Sequence, residues 1–181
     1  MQQQYGDVSV TLPGGFVAIC EIQRGPNNFF DQDLIKDLAD CFEDLDNNPE
    51  CRAIVLCSEG KHFCAGANFT SGARKDSVSS HGEGETNPLY GEAVRLFRCK
   101  TPVIAAVQGA AVGGGFGLAV MADFRVACSN TRMTANFVKL GFTPGFGLTH
   151  TLPRIIGVQK ANLLFMTGRR IDGQTAYDWG L

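Results

Sequence analysis

The chain has 181 residues, which is enough for one domain with a substantial core and short for two. Its 44% apolar content, 19% charged content and net charge of −2 are typical of a globular protein, and the lack of a basic run argues against a nucleic-acid or anionic-membrane partner. Seven cysteines without CxxC spacing indicate buried thiols rather than a disulfide framework or a metal site. No signal, transit or membrane-spanning segment stands out, so we expect a cytoplasmic protein.

The first half of the chain predicts a hairpin, a helix and a buried strand. Residues 8–12 and 16–22 are β-rich runs on either side of a Pro-Gly-Gly turn. Asp31 is a good N-cap for a helix whose apolar residues recur at helical spacing as far as Leu45. Residues 53–57 form a compact apolar run, which predicts a strand buried on both faces. Residues 71–87 are rich in Ser, Gly, Lys and Glu and predict a mobile surface loop.

The second half alternates between strand-like and helix-like segments. We expect helices over residues 89–97, from the glycines at 113–115 to Met121, over 159–167 before Gly168, and in a last short segment capped by Asp172. Residues 103–107 and 123–127 read as strands between them. This alternation predicts an α/β fold with right-handed crossovers.

Two glycine-rich segments are the best candidates for a functional site. The first is HFCAGAN at residues 62–68, after a predicted strand, and the second is VQGAAVGGGFGL at 107–118, where a strand runs into a helix. Small residues let the backbone approach a ligand, and a helix N-terminus leaves N–H groups unpaired. One N–H from each segment could form an oxyanion hole. Either segment alone fits close packing or phosphate binding equally well, although neither matches a dinucleotide or P-loop fingerprint.

Together, these two segments resemble the signatures of the enoyl-CoA hydratase/isomerase (crotonase) family. Further matches follow in the same order along nearly the whole chain: PNNFF at 26–30, CKTPVIAAV at 99–107, LGFTPGFG at 140–147 and LPRIIG at 152–157. The resemblance implies a spiral of ββα units in a single acyl-CoA-binding core domain over residues 1–181. It also implies that the C-terminal helical part of the family fold is missing after Leu181, where family members continue.

The resemblance assigns binding roles to several positions. Ala67 and Gly114 match the two oxyanion donors, and Arg24, Ala65 and Gly66 match positions near the coenzyme A moiety. Arg24 could equally be a solvated turn residue. An apolar acyl pocket is expected around three further residues, unless they are ordinary core: Phe137, Phe142 and Pro144.

The resemblance fails at the two glutamates with which the family's hydratases activate water. The matching positions hold Gly117 and Phe137, and neither side chain can move a proton. Tyr90 and His150 are the leading substitutes as acid or base, with His62 and the carboxylates of the 71–87 loop behind them. Each has a structural alternative as a packing or solvated residue.

Three functions remain open at this level. The first is an enzyme that stabilises a thioester enolate, acting as a hydratase-family lyase, isomerase or decarboxylase. The second is an acyl-CoA-binding module without turnover, and the third is a structural α/β protein without a ligand. The resemblance implies an acyl-CoA thioester as partner, no cofactor beyond the coenzyme A of the substrate, no metal, and a homotrimer or dimer of trimers.

Overall fold

The structure is a computed structural model that describes residues 2–68 and 87–181. The predicted loop at 71–87 lies outside the described residues except for Asn87. Within the described residues, nine strands form a six-stranded sheet in the order β1-β2-β3-β4-β5-β7 and a three-stranded sheet in the order β6-β8-β9. The strands are β1 (Gln4–Tyr5), β2 (Val8–Gly14), β3 (Val17–Ile22), β4 (Ala53–Ser58), β5 (Val103–Val107), β6 (Ala110–Val112), β7 (Phe124–Ala127), β8 (Arg132–Thr134) and β9 (Arg170–Asp172).

Six α-helices and a 3₁₀ helix surround these sheets in the described chain. They are α1 (Gln32–Asp46), α2 (Pro88–Leu96), α3 (Gly114–Met121), the 3₁₀ helix (Asn136–Leu140), α4 (Leu148–Ile156), α5 (Val158–Thr167) and α6 (Gly173–Asp178). None of the helices in the described residues is both long and apolar enough to cross a membrane. The mixed α/β architecture confirms the predicted fold class.

The first sheet combines an antiparallel hairpin with parallel strands. β2 and β3 pair antiparallel, as the Pro-Gly-Gly turn predicts, and β3, β4, β5 and β7 then run parallel. The expectation that residues 53–57 are buried on both faces is wrong in part. Ile54, Leu56 and Ser58 are buried, whereas Ala53, Val55 and Cys57 on the other face are half-buried, so the strand alternates. A parallel strand becomes apolar on both faces only where both faces are fully covered.

Helix α1 supplies the main cover of the first sheet. The Asp31 carboxylate accepts a hydrogen bond from the Leu34 N–H at 3.0 Å, which confirms the predicted N-cap. Its buried face contains seven residues: Leu34, Ile35, Leu38, Ala39, Cys41, Phe42 and Leu45. At its end, the Asp46 carboxylate accepts hydrogen bonds from the Lys100 and Thr101 N–H groups and so joins α1 to the start of β5.

The second sheet was not predicted, although it carries part of the candidate site. β6 pairs parallel with β8, and β8 pairs antiparallel with β9. A parallel bridge between Cys64 and Ala111 connects the segment after β4 to β6. The two glycine-rich segments are therefore brought together by backbone pairing.

Candidate active site

The two glycine-rich segments lie side by side and are hydrogen-bonded to each other. The Cys64 N–H donates to the Ala110 carbonyl at 3.0 Å, and the Val112 N–H donates to the Cys64 carbonyl at 3.0 Å. Gly66 has a φ of +84°, and a Cβ at this position would lie 2.7 Å from the Val112 carbonyl oxygen. Only glycine fits both this backbone conformation and this approach.

The helix that follows β6 begins at Gly114. Gly113 has a φ of +56° and its N–H donates to the Thr134 carbonyl at 2.9 Å, so Gly114 becomes the first residue of α3. Within residues 2–68 and 87–181, neither the Gly114 N–H nor the Ala67 N–H has a hydrogen-bond acceptor. Both unpaired N–H groups belong to the adjoining segments, and unpaired backbone N–H groups are the donors from which oxyanion holes are built.

Phe30 contacts both segments. Its N–H donates to the Gly66 carbonyl at 3.1 Å, and its ring packs so closely on Gly114 that a Cβ there would collide with it. In the sequence, the PNNFF run that contains Phe30 is visible only as a family match. Because one residue touches both loops, Phe30 fixes the position of one loop relative to the other.

Asn28 is hydrogen-bonded to the chain at the start of the first glycine-rich segment. It is fully buried, with a φ of +49°, and its amide nitrogen donates to the Glu59 and His62 carbonyls at 2.9 and 2.7 Å. Its side-chain oxygen accepts from the Arg24 N–H at 3.0 Å. Sequence reasoning missed this role, although an asparagine in a turn before a helix is a residue type that tolerates a positive φ.

Arg24 forms ion pairs with two carboxylates of the same chain. Its guanidinium donates to Asp7 and forms an ion pair with Asp31 at 2.7 Å, and its side chain is only 22% exposed. Burial lowers the pKa of Arg24, but hydrogen bonds to Asp7 and Asp31 outweigh burial and raise it overall. Arg24 is therefore bonded to neighbouring carboxylates of the same chain. The phosphate contact suggested for Arg24 stays a prediction.

The position of the first hydratase glutamate faces an aromatic side chain. A Cβ on Gly117 would lie 2.6 Å from Phe146 Cβ and 3.1 Å from Phe146 Cγ. Phe146 is 2% exposed, and its ring contacts those of Phe30 and Phe97 at centroid distances of 5.9 and 6.0 Å. Gly117 is therefore a glycine because a neighbouring phenylalanine occupies the space beside it.

The position of the second hydratase glutamate also lies at the site. A Cβ on Gly113 would lie 3.8 Å from Phe137 Cζ, and one on Gly145 would lie 3.6 Å from Phe137 Cε1. The half-buried Phe137 ring is thus between the triple glycine and Gly145. Phe142 and Pro144, the other predicted pocket residues, are half-buried in the segment between them, where the Phe142 N–H donates to the Phe137 carbonyl at 3.0 Å.

Tyr90 reaches the same place from α2. A Cβ on Gly145 would collide with the Tyr90 hydroxyl, so this oxygen lies against the Gly145 backbone beside Phe137. Burial raises the pKa of Tyr90, and a hydrogen bond from the Phe146 backbone opposes that shift without cancelling it. The hydroxyl is therefore protonated near neutral pH and can act as a proton donor.

The two histidine candidates differ in their surroundings. His150 is on the exposed side of α4, away from the buried Leu148, Leu152 and Ile156, and its imidazole makes no hydrogen bond to the described part of the chain. The His62 Nδ1 accepts the Ala110 N–H at 3.1 Å, so His62 fixes the start of β6. Among the described residues, no group of three or more His, Cys, Asp or Glu side chains could hold a metal ion.

The arrangement offers two backbone donors, a neutral tyrosine hydroxyl and an aromatic wall. Such a site can stabilise an oxygen that gains negative charge and return one proton to carbon. At Gly117 and Phe137, which the family resemblance matches to the hydratase glutamates, it holds no group that could activate water.

Comparison with known proteins places the chain in a family. The sequence matches the enoyl-CoA hydratase/isomerase family over residues 14–181. It is 36% identical over 171 residues to the short-chain-enoyl-CoA hydratase of Clostridium acetobutylicum, which aligns with 92% of this chain. It is 34% identical over 168 residues to the bacillaene synthase decarboxylase PksI of Bacillus subtilis (strain 168), which aligns with 91% of this chain. The chain spans 64% of the length of each of these two proteins.

A solved structure agrees with the sequence matches. The enoyl-CoA hydratase subunit I from Geobacillus kaustophilus HTA426 superposes with a TM-score of 0.86 at 31% identity, covering 97% of this chain and 67% of that one. The family match, the sequence relatives and the shared fold lead to one conclusion: the chain belongs to the enoyl-CoA hydratase/isomerase family.

Proposed function

We propose that the protein is a decarboxylase of acyl-CoA thioesters that uses the Ala67 and Gly114 N–H groups as an oxyanion hole. The observation that carries the proposal is the replacement of both hydratase carboxylates, by Gly117 against Phe146 and by Phe137. Hydration requires a base for water and an acid for the α-carbon, and these positions supply neither. Decarboxylation requires no base, because loss of CO₂ itself generates the carbanion.

The chemistry needs a thioester with a carboxylate on the α-carbon or, through a conjugated double bond, on the γ-carbon. The bond between carbon and the carboxylate breaks, CO₂ leaves, and the electron pair moves to the thioester oxygen as an enolate or dienolate. Ala67 and Gly114 donate hydrogen bonds to that oxygen. The Tyr90 hydroxyl then protonates the carbon, and its proton is replaced from solvent.

The aromatic surroundings favour this reaction over hydration. A carboxylate placed beside Phe137 and Phe146 loses hydration, and the charge is spread over a conjugated system when CO₂ leaves. A relative of similar identity bears the name decarboxylase, which agrees with this proposal.

A binding module without turnover is the second candidate. The observation that favours it is the same loss of both carboxylates, since a site that keeps only its two backbone donors can hold a thioester without reacting. Binding would then involve Ala65, Gly66 and Arg24 on the coenzyme A side and Phe142 and Pro144 around the acyl chain.

The test is a panel of coenzyme A thioesters followed by mass spectrometry. Malonyl-CoA and glutaconyl-CoA represent the α-carboxy and γ-carboxy classes, and crotonyl-CoA reports hydration. We expect CO₂ release from one carboxylated thioester and no more than trace hydration. Thioester binding without conversion of any member would support the binding module instead.

Tyr90→Phe tests the proton donor. We expect it to lower kcat for CO₂ release about 10²–10⁴-fold with little change in the affinity for the thioester, because a general acid acts in the transition state. Tyr177→Phe is the matched control, since Tyr177 is 81% exposed on α6. Equal rates in both variants would remove Tyr90 from the mechanism.

The remaining expectations belong to the same proposal. They are a homotrimer or dimer of trimers, a cytoplasmic location, and coenzyme A as part of the substrate with no separate cofactor. His150 is left without a role in it. Size-exclusion chromatography with light scattering measures the oligomeric state directly.

A further inference from the structure

Phe146 has an unusual conformation for a buried aromatic residue. Its φ is +53°, in the left-handed region, although it carries a side chain and is 2% exposed. Bulky residues avoid this region because Cβ approaches the backbone. Such a conformation persists only where the surroundings impose it, and at functional sites it often serves to aim a side chain.

The conformation directs the side chain against α3. A Cβ on Gly117 would lie 2.6 Å from Phe146 Cβ and 3.0 Å from Phe146 Cδ1. The nearest atom is a Cβ, which cannot move away without the backbone. Any side chain at position 117, including a catalytic glutamate, is therefore incompatible with Phe146 in this place. The two positions form a coupled pair.

The Phe146 ring is also held from its other sides. It makes an edge contact with Phe30 at 5.9 Å and a tilted contact with Phe97 at 6.0 Å. Phe30 in turn packs on Gly114, the proposed oxyanion donor. The ring thus lies one aromatic contact away from Gly114 and occupies the space that a side chain at position 117 would need.

We propose that Phe146 is a specificity-determining residue that keeps water from the β-carbon of the bound thioester. This inference rests on the proposed function. Decarboxylation of a γ-carboxy enoyl thioester leaves an enoyl thioester, which is the substrate class that hydratases convert by adding water. With Phe146 in place, the unsaturated product leaves the site unhydrated.

The test combines three variants with one control: Phe146→Gly, Gly117→Glu, the two together, and Phe124→Ala. Glycine at 146 removes the ring and accepts the positive φ. Phe124 is the control because it is 64% exposed on β7. Hydration of crotonyl-CoA is measured as 3-hydroxybutyryl-CoA formed. The products of glutaconyl-CoA are separated into crotonyl-CoA and 3-hydroxybutyryl-CoA.

We expect Gly117→Glu alone to gain no hydratase activity, because Phe146 fills the space of the new side chain. The combined variant should hydrate crotonyl-CoA at least about 100-fold faster than Gly117→Glu, the lower range of a general acid–base contribution. It should also yield hydrated product from glutaconyl-CoA, while the wild type and Phe124→Ala yield crotonyl-CoA. Equal hydration by the combined variant and Gly117→Glu would overturn the inference, as would hydrated product from the wild type.

A stability measurement keeps the inference testable if the glutamate variants fail to fold. Gly117→Ala should lower Tm in the wild-type background and leave it unchanged or raised in the Phe146→Gly background. The same Tm shift in both backgrounds would show that Phe146 does not occupy the space beside position 117. Absence of CO₂ release from every thioester would refute the proposed function, but it would leave these Tm and crotonyl-CoA comparisons intact.

Discussion

Replacing Gly66 by alanine tests how the first donor loop is held against β6. Alanine at this position must adopt a φ of +84°, and the left-handed region costs an L-residue about 1–2 kcal/mol. Its Cβ would also lie 2.7 Å from the Val112 carbonyl oxygen, and overpacking of this kind costs about 1–3 kcal/mol. We therefore expect Gly66→Ala to lower the free energy of unfolding by about 2–5 kcal/mol.

Gly60→Ala is the matched control for this prediction. Gly60 has a similar φ of +74°, but a Cβ there would meet nothing within 4 Å. It should lose only the conformational part, about 1–2 kcal/mol. Urea unfolding followed by circular dichroism gives both values, and thioester turnover should fall only in Gly66→Ala, because the shifted loop carries Ala67. Equal losses of stability in the two variants would refute the packing of this loop on β6.

Three further predictions follow from contacts outside the reacting centre. Asn28→Ala should lower the free energy of unfolding by about 1–3 kcal/mol in urea titration, because it removes the buried amide that bonds the Glu59 and His62 carbonyls, of which the His62 carbonyl keeps its bond from Ser58 Oγ. A loss within error would contradict this support of the donor loop. Burial raises the pKa of Asp46, but hydrogen bonds from Lys100 and Thr101 outweigh it and hold the pKa below its usual range. The stabilisation that ionised Asp46 gives the fold is therefore present above about pH 4 and is lost as pH falls through the folded-state pKa. We expect Asp46→Asn to flatten the acid side of the curve of Tm against pH. An unchanged acid side would exclude this role. Among the cysteines, exposed Cys128 should react first with a thiol reagent in the native state. Buried Cys64, whose pKa is raised by burial to about 12, should react only on unfolding. Rapid labelling of a Cys128→Ser variant would contradict that order.

Local signals in the sequence were strong enough to predict most of the first sheet and its helices. The Asp31 cap, the apolar spacing of α1 and the glycine at 168 each act through the residues next to them, so they can be read without a structure. The two glycine-rich segments could also be identified, because their small residues and their order along the chain match a family pattern.

Contacts between distant segments could not be predicted in the same way. β6, β8 and β9 have three residues each, too few to show a period, and they form because pairing with one another completes their hydrogen bonds. Helix α4 was missed because Gly147 and Pro153 look like helix breakers, although Leu148, Leu152 and Ile156 line one buried face.

The packing of Phe146 on Gly117 was similarly invisible, because it joins helix α3 to a loop residue far along the chain. A glycine in a helix usually weakens the helix, and the sequence alone gives no indication that a ring stands beside it. The missing glutamates could thus be seen in the sequence, whereas the reason that one of them is excluded required the structure.

The backbone bridge between Cys64 and Ala111 has a consequence for hydrogen exchange. The Cys64 and Val112 N–H groups form two of the hydrogen bonds that join the segment after β4 to β6, so their protons exchange only when this segment separates from β6. A thioester bound between Ala67 and Gly114 would have to be released before this segment could separate from β6. At a ligand concentration of about 100 times Kd, the opening free energy of both amides should rise together by about 2.7 kcal/mol. Slowed exchange at these two positions would thus report occupancy of the site even for a thioester that the protein does not convert.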